Sequence, residues 1–483
     1  MHTDKNSEVM VHDGHAYATI KIGEFPRVGL PVKDRNGADV FQVPPGISVA
    51  SCDPVTGAAI FSPVTGYTVE SDCSTVKVTL GSREIIVSDN ESMACFDQAT
   101  GELVKVRPAD VGARSVPVLR KNPMPFGTAG DRDIGWLIGS MLSDGWVSLG
   151  YVGYAKQEAC KRDAVVSIMR RYHDNFTVHT YTGKSAGSSY KYGDSVKVHM
   201  SSRTLVDWWN KLGIYCDDPD ILGAQPGTLS SALLKYINPA ILEQGSEEML
   251  WGLLSGMLDG DGSIVKNTVK AKPQYTFRFA TSSKALKKSV CDLCYRLGIR
   301  FSVTTTPPRG TSGEAYTVVL SSVDMYANID KLTCIGASEM AILNEFKAAG
   351  VAPDKKDSIP VSDSEWMQLK DYVRTVEGTV GVYAACTSTK SGRRICSRYA
   401  LLKHSDWLRE HIPSLYARVI AYDTVWMQVK SIEDAGTRQV FDLLVADTKV
   451  FAINQGVIIW DTVNIHAPVS RGAVRDIKDK MMP

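Results

Sequence analysis

Residues 254–262 read LSGMLDGDG, an apolar run closed by two carboxylates, Asp259 and Asp261, set between glycines. A second run, WLIGSMLSDGW at 136–146, ends the same way on Asp144. Aspartate is a poor helix former, and a negative charge at a helix C-terminus meets the negative end of the macrodipole. Paired endings of this kind therefore imply a cation that offsets the charge. Asp259 has no acidic counterpart in the first motif, where Ser143 stands, and is expected to be dispensable.

The elements that must position Asp144 and Asp261 also occur twice. KQEACKRDAVVSIMRRY (156–172) has the helical period of TSSKALKKSVCDLCYRLG (281–298), and VKVHMSSRTLVDWWNKLG (196–213) parallels YTVVLSSVDMYANIDKL (316–332). In the last pair each strand ends in a serine-capped helix. Three matches in one order predict a duplication, two units of helix, hairpin, helix, hairpin, helix.

These residues resemble the LAGLIDADG homing endonucleases over about 134–335. The resemblance implies an α+β domain with two repeats, about 134–215 and 250–335, whose motif helices meet at a pseudo-two-fold axis. Gly139, Ser255 and Gly256 would let the backbones touch, while Ile138, where alanine is usual, predicts a slightly offset first helix. It further implies that Asp144 and Asp261 are catalytic and hold Mg²⁺, and that the partner is double-stranded DNA. The hairpins would present Lys184, Lys191, Lys197, Lys266, Lys270, Lys272 and Arg278 to the major groove, and Lys235, Lys331 and Lys347 follow the repeats where a catalytic lysine is sometimes found.

Outside this unit the pattern changes. Residues 49–97 and 426–462 alternate apolar and polar residues, with turn residues every few positions between short strands, an all-β signature. Two β halves split by an unrelated domain resemble an intein, whose horseshoe-shaped Hint splicing fold is interrupted by an endonuclease; VFDLLVADTKVFAINQGVIIWDT carries the C-terminal match, and NSEVMV with VKVTLGSREIIVSDNE the N-terminal one. Aligning Ser7 with that family's threonine puts the first intein residue among Met1, His2 and Thr3, where the usual nucleophile is missing. The Thr-x-x-His block is Ser88, Asp89, Asn90 and Glu91; the family's aspartate is Asp442; Lys449 and Trp460 replace histidines; Asp461 replaces the terminal asparagine. Asp461 can attack its own carbonyl to form an anhydride, Thr462 supplies the following hydroxyl, and proton transfer would fall to Glu91, Lys449 or Asp442. The alternative is a degenerate insertion that only binds DNA or is inert. Residues 462–483 resemble the stretch after the metal-binding loop in the largest subunit of phage-type multisubunit RNA polymerases, which implies exteins of that host as partners.

Composition sets the outer limits. The 483 residues imply about two to four domains. The expected divisions are 1–125 for the N-terminal splicing part, 126–345 for the endonuclease, 346–417 for a linker or accessory DNA-recognition segment, 418–461 for the C-terminal splicing part and 462–483 for the C-extein. A net charge of +1 excludes a strongly basic nucleic-acid protein by bulk. No membrane span or signal core is evident, which points to the cytoplasm, and the resemblances imply a monomer in a phage or bacterial host cell. Ten dispersed cysteines fit reduced thiols, and the Cys291–Cys294 pair fits packed core thiols rather than zinc.

Overall fold

The computed structural model describes residues 3–34, 37–90, 93–183, 195–222, 225–269, 272–308, 313–351, 354, 357–375, 386–388 and 394–461. The two alternating stretches form one sheet-rich region. Its spine is the 22-residue strand Ala59–Leu80, paired antiparallel with Val429–Val445 from Leu80↔Val429 to Val64↔Val445. Short strands broken by turns were expected here, but the turn-like residues are absorbed into the strand. Between Glu70↔Val440 and Cys73↔Arg438 the long strand carries an extra residue, and Asp72 takes φ +60°. Such a bulge bends a strand without ending it. Thr3–Asp4 lies between Val429–Val445 and Arg83–Ser88, with Thr3 opposite both Phe441 and Val87. Tyr67, Val78, Val87, Phe441, Leu443, Phe451 and Ile459 fill the core.

The inserted region carries the predicted duplication. The first unit runs Arg132–Asp144, the hairpin Gly145–Ser148 and Tyr151–Ala155, helix Ala159–Tyr172, the hairpin Thr177–Gly183 and Ser195–Ser201, then helix Arg203–Lys211. The second runs Glu247–Asp259, Gly262–Val269 and Lys272–Thr281, helix Lys284–Leu297, Phe301–Thr306 and Ala315–Leu320, then helix Ser322–Ala327. Ser202 and Ser321 cap the last helix of each unit, accepting the N–H of Leu205 and Asp324. Each unit has one four-stranded antiparallel sheet.

The two motif helices cross on four glycines. A methyl group on Gly139 would lie 2.1 Å from the Leu253 carbonyl oxygen, and one on Gly256 would lie 2.1 Å from that of Trp136. Gly135 faces Met249 O at 1.9 Å and Gly252 faces Arg132 O at 2.1 Å by the same measure. The backbones are therefore in direct contact at two levels related by the duplication. Ile138 is fully buried and does not hold the backbones apart, because the glycines four residues apart in each helix set the approach. Ser255 is not one of the contact residues; its Oγ donates to Trp251 O at 2.8 Å and accepts the Thr333 N–H at 3.0 Å.

Helix Ala337–Ala349 still belongs to the insert, since Phe346 packs on Tyr275, Phe277 and Tyr326. The segment after it has its own core of Ile359, Val361, Leu369, Leu401, Leu408, Leu415 and Val419. Buried Arg398 organises it, pairing with Asp357 at 3.0 Å and donating to the carbonyls of Arg418, Val419, Ala421 and Thr424. Cys396 is disulfide-bonded, which corrects the expectation of reduced thiols throughout, whereas Cys291 and Cys294 are buried free thiols as expected. Helix Lys284–Leu297 joins insert to sheet: Lys288 Nζ lies 2.8 Å from both Glu8 Oε1 and Asp292 Oδ2, and Gln455 donates to Asp292 at 2.7 Å. No described helix is long and apolar enough to cross a membrane.

The glycine crossing makes a stability prediction. Gly139→Ala and Gly256→Ala should each cost about 1–3 kcal/mol or more by overpacking backbone on backbone. Gly150→Ala, at a position with nothing within 4 Å, should change little. Thermal melts that place all three together would refute the contact.

Candidate functional site

Asp144 is the last residue of its helix, and the chain passes straight into strand Gly145–Ser148. The following hairpin returns the chain to the same place and delivers Lys156, whose Nζ donates to Asp144 Oδ2 at 2.6 Å and to the Gly260 carbonyl at 3.0 Å. One lysine thus bridges the ends of both motifs. A methyl on Gly260 would lie 2.2 Å from Ser143 Cβ, so glycine lets the second motif's end approach Ser143 and, next to it, Asp144. Asp261 follows Gly260 and is solvent-accessible but crowded by protein. That crowding, then the like charge of Asp144, raises its pKa, while Lys235 and Lys156 oppose the rise.

Lys235 enters from the connection between the repeats. It is buried, and its Nζ donates to the carbonyls of Ser143 at 2.9 Å and Met141 at 3.4 Å, beneath the first motif's end. Burial lowers its pKa, against the pull of Asp261 and then Asp144. Lys331 and Lys347 are elsewhere, paired with Glu247 and Asp330. Glu247 starts the second motif helix, a length of roughly 20 Å from the end that leads to Asp261. Asp259 is structural: fully buried, it accepts from Trp136 Nε1 at 2.7 Å, Ile335 N at 2.7 Å and Gly336 N at 3.1 Å. Neither the bridging role of Lys156 nor Gly135 and Gly252 was anticipated. The available signals were the Gly-x-x-x-Gly spacing in both helices and a lysine placed just across a hairpin from Asp144.

Among the described residues no cluster of three or more histidine, cysteine, aspartate or glutamate side chains could hold a metal. The donor set is thus two carboxylates, hard oxygen ligands with few protein charges. It fits a small divalent cation that draws its other ligands from water and substrate phosphate.

The groove-facing residues divide. Lys197 is exposed, and Arg278 is half-buried on the outward side of its sheet. Lys266 is turned the other way: opposite buried Tyr275, it pairs with Glu345 at 2.7 Å on the helix side. Strand alternation sets that direction, so Lys266 is not a groove residue. Lys184, Lys191 and Lys270 lie outside the described residues, and Lys272 is described only as the start of its strand.

The second constellation lies in the sheet-rich region. Asp461, buried, donates its N–H to Lys449 O at 2.8 Å and accepts the Val445 N–H on Oδ2 at 3.2 Å. Burial and then the Asp442 charge push its pKa up to about 6, against the Val445 hydrogen bond and Lys449. Asp442 is fully buried next to Phe441, which pairs with Thr3, and Ser88 follows Val87, which pairs with Thr3 from the other side. Thr3, Ser88, Asp442 and Asp461 are therefore gathered at one end of the sheet. The Thr3 hydroxyl is occupied by Ile86 O at 2.8 Å and Ser7 Oγ at 2.6 Å. Lys449 is exposed with φ +59°. Met1, His2, Glu91 and Thr462 lie outside the described residues.

Residues 248–332 match the family model described as a LAGLIDADG-like domain. An uncharacterized protein of Methanocaldococcus jannaschii is 26% identical over 228 residues, 44% of this chain and 22% of that protein. The replicative DNA helicase DnaB of Synechocystis sp. is 25% identical over 254 residues, 50% of this chain and 28% of that protein. The chain spans about a quarter of the length of these curated relatives. Among solved structures, I-DmoI in complex with DNA and Ca aligns with 44% of this chain and 97% of its own at 10% identity and a TM-score of 0.29. A transcription factor IIB mini-intein aligns with 25% and 70% at 15% identity and a TM-score of 0.22.

Asp461 should titrate near pH 6, and Asp442→Asn should lower that value, both readable by carboxyl ¹³C NMR. The raised pKa favours the protonated carboxyl in the folded state. Its stabilisation is complete below about pH 4 and is lost as pH rises through about 6, on the order of 2–3 kcal/mol in all. An Asp461 titration near 4 would refute the coupling.

Proposed function

We propose that the chain is a DNA-cleaving intein: a self-processing element whose insert is a site-specific, Mg²⁺-dependent endonuclease acting on double-stranded DNA. The observation that carries this reading is that Lys156 bridges Asp144 to Gly260, the residue before Asp261, where two glycine-locked helices end, with Lys235 on the main chain beneath the first. The family match to 248–332 supports the same assignment for the second repeat. Asp144 and Asp261 would hold the metal, which supplies polarisation of the phosphodiester and activation of water. Lys156 holds Asp144 and Gly260 together until substrate arrives, then offers a cation to phosphate. Lys235, with its pKa lowered by burial, is the group suited to move a proton at the scissile oxygen.

In the sheet-rich region, Asp461 would attack its own carbonyl to release a peptide beginning at Thr462, with Asp442 keeping a proton available at that end of the sheet. Residues 462–483 would be the C-extein of an RNA polymerase subunit, and the element would act as a monomer in the cytoplasm. Two observations favour a splicing-deficient insertion instead: Trp460 and Lys449 stand in the expected histidine positions, and the Thr3 hydroxyl is already hydrogen-bonded.

Asp144→Asn and Asp261→Asn should each abolish double-strand cleavage while duplex binding persists, and Lys235→Met should slow cleavage roughly 10²–10⁴-fold. Normal cutting by either aspartate variant would overturn the endonuclease assignment. Intact-mass measurement tests the other half: wild type should shed the tail at Thr462 and Asp461→Ala should not. Equal stability of both chains would establish the splicing-deficient reading.

A further inference from the structure

Among the described lysines near the two motif ends, Lys156 alone is bound as a metal ion would be. Its ammonium takes a carboxylate oxygen, Asp144 Oδ2 at 2.6 Å, and a main-chain oxygen, Gly260 O at 3.0 Å. These are two hard oxygens, one from each motif, and hard oxygens are what a small divalent cation selects. An ammonium and a divalent ion could share them only against close-range repulsion. Lys156 and a metal therefore compete for one place.

Lys235 offers the contrast. It holds the carbonyl of Ser143, the residue before Asp144, much as Lys156 holds that of Gly260, the residue before Asp261. Lys235 is buried, and its hydrogen bonds to Met141 and Ser143 are to main-chain oxygens rather than to a carboxylate. The side chains of Lys156 and Asp144 are each 20% exposed, so their pair is within reach of a ligand from solvent. The main chain of Lys156 is fixed on both sides, its N–H donating to Val196 O at 3.1 Å and its carbonyl accepting from Arg162. Departure of the ammonium thus needs only rotation of a flexible side chain. The duplication supplies no second copy. Tyr154 pairs with Gly145 as Phe279 pairs with Gly262, so the counterpart of Lys156, two residues on, is Thr281, whose hydroxyl accepts the Ser283 N–H at 3.0 Å.

Charge favours exchange over simple addition. With Lys156 in place, the carboxylates of Asp144 and Asp261 already face the ammonium groups of Lys156 and Lys235, which leaves little net attraction for a divalent ion. Once Lys156 is drawn onto another anion, the carboxylates outnumber the cations again.

We propose that Lys156 is a resident counter-cation: it fills the cation position at Asp144 while the chain is free of DNA, and a phosphate of the bound duplex draws it off, so that the site accepts a divalent metal only on the complex. The inference rests on the DNA-cleaving function proposed above and adds to it an order of assembly. A duplex phosphate suits the exchange because it pairs with the ammonium and leaves Asp144 Oδ2 and Gly260 O free.

The test titrates the full chain with Mn²⁺ and reads free Mn²⁺ by electron paramagnetic resonance, first without DNA and then with a duplex that the chain has enriched from a randomised pool in Ca²⁺. Wild type should bind Mn²⁺ weakly alone and about 5- to 150-fold more tightly on the duplex, the ordinary range for coupled sites. Lys156→Met should bind Mn²⁺ without DNA at least about tenfold more tightly than wild type, and the duplex should add less to it. Lys156→Arg, which keeps a cation there, should stay near wild type. Lys331→Met, which removes a charge near the far end of the second motif helix, should change nothing, and so separates local exchange from a general loss of positive charge. Lys156→Gln repeats the comparison if the methionine variant folds poorly. Equal DNA-free affinity of wild type and the uncharged Lys156 variants, or a wild-type affinity that the duplex does not raise, would overturn the proposal. Failure of the underlying reading looks different: Mn²⁺ uptake indifferent to Asp144→Asn and Asp261→Asn, or no duplex enriched at all, would refute the DNA-cleaving site and this proposal with it.

Discussion

The crossing of the two motif helices at Gly135, Gly139, Gly252 and Gly256 is the constraint on which the rest of the insert depends. With side chains at these positions the helices would separate by several ångströms, and Lys156 could not reach Asp144 and Gly260 together. Backbone contact also explains the electrostatics. Crowding by protein and then the charge of Asp144 raise the cost of ionising Asp261, and Lys235 and Lys156 are the protein's partial answer. Asp259 contributes from beneath by tying Trp136 of one helix to the Ile335 and Gly336 N–H groups that precede the next.

Much of this was legible in the sequence because duplication shows itself twice. The helix–hairpin order, the serine caps and the alternation of the outer strands all follow from local patterns with a period of 3.6 or 2. What was missed depends on contacts distant in sequence. The role of Lys156 requires the hairpin's return, and the choice of Lys235 over Lys331 and Lys347 requires the path between the repeats. Lys266 was misjudged because a charge in a hairpin says nothing of which side it faces until the register with Tyr275 is known. The long strand Ala59–Leu80 was read as fragments because a bulge and a turn use similar residues. Of the residues the intein resemblance singles out, nothing in the sequence could show that the Asp442 charge acts on Asp461 across the sheet.

The junction between insert and sheet is polar and specific rather than a loose tether. Lys288 is held by Glu8 and Asp292, the Ser82 hydroxyl accepts the Val303 N–H at 2.7 Å, and Glu243 accepts the Thr19 N–H at 2.9 Å. Half-exposed ion pairs of this kind add little net stability, and what they bring is a fixed geometry. Helix Lys284–Leu297 therefore has two packing partners, the second repeat and the strand that begins at Glu8.

The pairing of Ala59–Leu80 with Val429–Val445 joins segments separated by some 350 residues of chain, and it does so through main-chain hydrogen bonds along almost the whole ribbon. The sheet's integrity thus does not pass through the peptide that connects its halves. A break in a surface loop of the insert would leave both halves gripping each other, so covalent continuity and structural continuity are separate properties in this molecule. The shape that gathers Thr3, Ser88, Asp442 and Asp461 is encoded in two pieces that recognise one another as complementary strands.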